Sequence, residues 1–140
     1  MNTPSAVDSG RARRLLTHEG ASAQRTEECA AAAARVYEKL NAQLAPLLGA
    51  AGVQALFVRS ANLARAQFPN LASGATLESA AKLRASLEPL EPGMAMATAE
   101  ALFGTFFTLI AKFVGERLTL QALRGSWPSL EDPVPTENKR

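Results

Sequence analysis

The sequence predicts an all-α fold: a bundle of four principal helices and a short C-terminal one, gathered around a hydrophobic fourth helix. Residues 93–114, GMAMATAEALFGTFFTLIAKFV, are apolar on nearly every side. A helix without a broad polar face has to be enclosed by other protein. Before and after it, apolar residues recur at spacings of three and four, the period of helices that bury one face. Ala and Leu dominate the aliphatic share and the chain holds a single Ile, which favours helix over strand.

The 140 residues suit one domain. Residues 1–22 carry Pro4, Gly10 and Gly20 among Ser and Thr without a sustained period, and are read as a disordered N-terminal arm. Residues 23–127 are read as the helical-bundle domain. Residues 128–140 hold three prolines and five charges and are read as a flexible C-terminal tail.

The first helix is expected over roughly 23–45. Cys29, Ala33, Val36, Leu40 and Leu44 make its stripe, Glu27 and Glu28 favour its N-terminus, and Pro46 is expected to end it. The second, roughly 52–67, places Val53, Phe57, Ser60, Ala61, Ala64 and Phe68 on one face and Arg59, Asn62 and Arg65 away from it. The third, roughly 77–87, has Ala80, Leu83 and Leu87 as its stripe, with Ser73 or Thr76 as N-cap.

In the fourth helix Leu102, Phe106, Leu109 and Phe113 form one stripe. Phe103, Phe107, Ile110 and Val114 form a second beside it. Ala97, Gly104 and Ala111, spaced by seven, make a ridge of small residues that lets another backbone come close. Gly115 is the expected C-cap. A final helix, roughly 119–125, is expected to start at Thr119 and to fold Trp127 back on the bundle as a lid.

Composition and motifs exclude several chemistries. Fifteen Lys and Arg against thirteen Asp and Glu give a net charge of +2 with the signs interleaved, the pattern of a solvated surface and not of a nucleic-acid stripe. Arg11, Arg13 and Arg14 are the one local basic cluster. The one cysteine, Cys29, admits no intramolecular disulfide and sits beside a run of alanines, so it reads as a small buried apolar side chain in a reducing compartment. One His and one Cys leave no ligand set for zinc, and His18 lies in the arm. Neither a phosphate loop nor a nucleophile elbow occurs. The N-terminus shows no secretory h-region. The run from Leu102 to Val114 contains Lys112 and is shorter than the roughly 20 residues a membrane span needs. The expectation is a cytoplasmic protein without cofactor, metal, nucleic acid or membrane partner.

Gly115–Pro128 (GERLTLQALRGSWP) and Phe57–Leu71 (FVRSANLARAQFPNL) resemble small all-helical bacterial proteins of uncharacterised function. The resemblance covers about half the chain, implies an all-helical fold and a bacterial source, and carries no activity or site residue.

Three functional readings follow. The first is a non-enzymatic interaction or regulatory module, with a protein partner and a homodimer whose seam lies near the 93–114 helix or its flanks. The second is a sensor or carrier whose interior, lined by Phe57, Phe103, Phe106 and Phe107 with Arg59 and Glu100 nearby, takes a small apolar ligand. The third is an enzyme using Glu100 with neighbouring arginines. Glu100 stands on an otherwise apolar helix, and Arg59 or Arg65 are its expected partners. Arg59, Arg65, Arg117 and Arg124 would form an anion patch if they converged.

Overall fold

The computed structural model describes residues 6–22, 24–69 and 79–127. Six helices make up the described fold: α1 (Ala6–His18), α2 (Thr26–Leu48), α3 (Ala50–Ala64), α4 (Ala80–Leu87), α5 (Pro92–Val114) and α6 (Glu116–Ser126). The fold is an all-α bundle. The expected tail at 128–140 and the caps Ser73 and Thr76 lie outside the described residues.

The central helix sits where its composition puts it. Pro92 opens α5 at its first turn, where the missing N–H costs nothing, and Gly115 closes it at φ 96°. α5 touches α1, α2, α3, α4 and α6. Every residue from Ala101 to Phe107 is buried. By length and composition α5 could cross a membrane, yet 67% of its apolar window is buried inside the protein.

α2 and α5 start side by side and run parallel. Cys29 Sγ lies 3.9 Å from Met96 Sδ, and the Thr26 hydroxyl donates to the Leu90 carbonyl at 2.8 Å. One level further on, Tyr37 of α2 and Phe103 and Phe106 of α5 meet the same ring, Phe57 of α3. Both helices have 23 residues, so their C-terminal ends share one end of the bundle. The expected α2 stripe of Cys29, Ala33, Val36, Leu40 and Leu44 is buried throughout.

That shared end carries two matching elbows. Gly49 (φ 81°, ψ 152°) joins α2 to α3, and Gly115 (φ 96°, ψ 156°) joins α5 to α6. Each glycine is the sole residue between its helices. Its N–H closes the helix before it, onto Ala45 at 2.7 Å or Ala111 at 2.8 Å. Its carbonyl accepts from the helix after it, from Val53 or Thr119 at 3.1 Å. Positive φ with one residue to turn in is a setting that favours glycine.

Four expectations are corrected. The arm expected at 1–22 contains α1, which lies along α5. Ala12, Leu15 and Leu16, three and four residues apart, are fully buried, and the broad apolar surface of α5 needs only that narrow stripe to hold a helix in place. Pro46 does not end α2: it sits in the last turn, where losing one N–H is tolerable, and the helix runs on to Gly49. The N-cap of α4 is Ser79, whose hydroxyl accepts from the Lys82 N–H at 3.2 Å. The last helix begins at Glu116, so Thr119 is a buried second-turn residue whose hydroxyl donates to Gly115 O.

Candidate functional site

The six residues singled out as a ligand site fall in three separate places. Phe57, Phe103, Phe106 and Phe107 are all buried in the core. Phe57 stacks on Tyr37 and on Phe106, each at 4.3 Å between centroids, and meets Phe103 edge-on at 6.4 Å. Phe107 is edge-on to Phe106 at 6.1 Å. These are the separations at which aromatic rings attract one another, and burying each ring adds about 1.5–3 kcal/mol. The Tyr37 hydroxyl reaches Gln54 Oε1 at 3.0 Å, so the stack is tied off at its polar end.

Arg59 is exposed on the outer side of α3, beside a surface hollow of about 390 Å³ lined also by Ala55, Val58, Asn62 and Leu63. Glu100 is elsewhere again. Its carboxylate is 21% exposed and accepts from Arg13 Nη1 at 2.8 Å. The partner is therefore an α1 arginine, not Arg59 or Arg65, because α1 covers the side of α5 on which Glu100 stands. Of the four arginines considered as an anion patch, Arg59 and Arg65 belong to α3 and its C-terminal cap, Arg117 and Arg124 to α6. α3 and α6 do not pack extensively on each other. Among the described residues no three His, Cys, Asp or Glu side chains gather in a group fit for a metal ion.

Cys29 is buried, as its alanine neighbours suggested. Burial pushes its thiol up to about 11, and the Glu100 charge adds to this. Such a thiol stays protonated at neutral pH and is a poor nucleophile.

Among the described residues several charged and polar groups converge on Glu19, to which the sequence pattern assigns no role. Its side chain is 7% exposed in the turn after α1. The carboxylate accepts from Lys39 Nζ at 2.5 Å and from the Trp127 indole N–H at 2.8 Å, both at Oε2. Arg35 Nε lies 3.5 Å from Oε1, and its guanidinium also donates to the Glu19 backbone carbonyl. Lys39 stands 5.7 Å above the Trp127 ring. Burial alone raises the Glu19 carboxyl, but the hydrogen bonds from Lys39 and Trp127 and the charges of Lys39 and His18 outweigh it and hold it below 4.5. Trp127 is thus the expected lid, fully covered, with a hydrogen bond that no sequence pattern announces, because its partner is 108 residues away.

The second unusual region is the end with the two elbows. Phe113, expected within the buried stripe, is 71% exposed. Leu47 and Leu118 are exposed as well. Leu47 stands two residues before Gly49 as Phe113 stands two before Gly115, and Leu118 lies in the first turn of α6. Lys112 and Arg117 are exposed beside them, with Glu116 between.

No family model, no curated protein and no solved structure matches this chain.

Proposed function

We propose that the protein is a non-enzymatic helical interaction module that assembles as a homodimer through the elbow end of the bundle. The observation that carries this reading is Phe113, a large aromatic side chain left 71% exposed at the end of a helix whose middle is enclosed. Leu47 and Leu118 stand at the same end. An apolar centre rimmed by charge is the usual anatomy of a protein interface. The rim carries both signs, Lys112 and Arg117 about Glu116, so a two-fold copy can set opposite charges against each other. A buried, unpaired Cys29 suits a cytoplasmic setting.

The carrier and enzyme readings draw less support. A carrier needs an opening beside Phe103 and Phe107, which are buried edge-on against Phe57 and Phe106. Glu100 pairs with Arg13, an arrangement that a structural ion pair accounts for fully.

Size-exclusion chromatography with light scattering tests the proposal. The expected mass is twice the 14.8 kDa of one chain. The double variant Phe113→Ser with Leu118→Ser should return it to 14.8 kDa with its helical circular-dichroism spectrum intact, since both side chains are exposed. A wild-type mass of 14.8 kDa at every concentration overturns the dimer. A dimeric double variant moves the seam away from this end.

A further inference from the structure

We infer that α1 and α6 form one clasped cover over α5 that opens and closes as a single unit, with Glu19 as its fastener. The two helices are about a hundred residues apart in sequence, and each packs on both α5 and α2. What joins them is a side-chain clasp at each end of α6. At the start of α6 Arg11, midway along α1 and itself only 4% exposed, donates to Glu116, the first residue of α6, at 3.1 Å. At the other end, Glu19, just past α1, accepts from Trp127, just past α6, at 2.8 Å. Residues 11 and 19 therefore meet 116 and 127 in the same order, and the two helices run parallel.

Both clasps have reason to act together. Glu19 Oε2 receives Lys39 as well as Trp127, so the fastener also pins the cover to α2. Gly125, near the end of α6, lies directly against the Gln43 side chain of α2, four residues beyond Lys39. If α1 lifts, Glu19 leaves with it. Lys39 then loses its carboxylate partner, and the Trp127 indole is left as a buried donor without an acceptor, which destabilises the end of α6. If α6 lifts, Trp127 leaves and uncovers Glu19, and the Arg11–Glu116 ion pair is broken. Each helix thus penalises the departure of the other, which is the condition for a cooperative sub-global unit.

The cover hides a definite surface. Glu100, which pairs with Arg13, stands three residues after Ala97 and four before Gly104, so α1 lies along the small-residue ridge of α5. Opening exposes that ridge and leaves the Tyr37–Phe57–Phe106 stack between α2, α3 and α5 in place. The cover is a conformational device; Glu116 also belongs to the charged rim proposed for the dimer, whereas Glu19 does not.

Native-state hydrogen exchange on the full chain, read by mass spectrometry alongside Trp127 fluorescence, tests it. Glu19→Gln should speed exchange in α1 and α6 by one common factor, roughly tenfold for hydrogen bonds to a charged group. α3 should be unchanged, and Trp127 emission should shift to the red. Glu116→Gln, at a carboxylate 56% exposed, loosens the other clasp gently. It should speed both helices by about threefold, the scale of a partly exposed ion pair. Acceleration confined to one helix in either variant, or spread equally into α3, overturns the single-unit cover. So does Trp127 emission that Glu19→Gln leaves unshifted.

Discussion

Phe106 and Phe113 are seven residues apart on α5, on one helical stripe, and look interchangeable in the sequence. Phe106 is fully buried between Phe57 and Phe107, whereas Phe113 is 71% exposed. The difference does not lie in the residues or in their helix. It lies in the neighbours: α1, α2 and α3 cover the middle of α5, whereas in its last turn Val114 still packs against the core and Phe113 is left exposed. Hydrophobic patterning states a demand for burial, while tertiary arrangement decides where that demand is met. A side chain whose demand is unmet within the chain is where a second chain belongs.

This contrast can be broken by substitution. Phe106→Ala should cost about 3–5 kcal/mol, because the ring leaves a cavity that the stack cannot refill. Denaturant unfolding reads this directly. Gly104→Leu should cost about 1–3 kcal/mol by overpacking a buried position on the side of α5 that α1 covers, with accelerated exchange in α1 as its signature.

The Cys29 thiol gives a pH-dependent probe of the buried contact between the starts of α2 and α5. Its folded value, about 11, lies above its ordinary 9.0. The stability this contributes is fully present below pH 9.0 and is lost as pH rises toward 11, since the unfolded thiol ionises first. Cys29→Ala should flatten that alkaline decline, and the wild-type thiol should resist a thiol reagent at neutral pH until the protein unfolds. The smallest effect belongs to Phe113→Ala, whose stability as a monomer should stay within about 0.5 kcal/mol of wild type. A large loss there would mean that the exposed ring is held by something within its own chain.

Much of the architecture was legible because it rests on local period. The 93–114 helix was placed to within a residue of Pro92–Val114, the Cys29–Leu44 stripe is buried as expected, and Gly115 is the cap. α1 was missed although its signal was present: Ala12, Leu15 and Leu16 already make a helical stripe, hidden by the surrounding Gly, Ser and charges. The candidate site was less legible. Each aromatic was recognised as apolar, but whether four rings line a cavity or fill one depends on packing that no spacing encodes. Glu100 was recognised as needing a cation, and the choice of Arg13 over Arg59 or Arg65 follows from where α1 lies. Glu19 carries no signal of its own, because its hydrogen-bond and ion-pair partners come from α2 and from the far end of the chain.

Residue-resolved hydrogen exchange along α5 tests the central claim most directly. Amides from Ala101 to Phe107 should open only with unfolding of the whole bundle, ranking with the slowest in the molecule. Those of the Lys112–Leu118 elbow should exchange far sooner. Equal rates along the entire helix, or a middle that exchanges as fast as its end, would contradict the account.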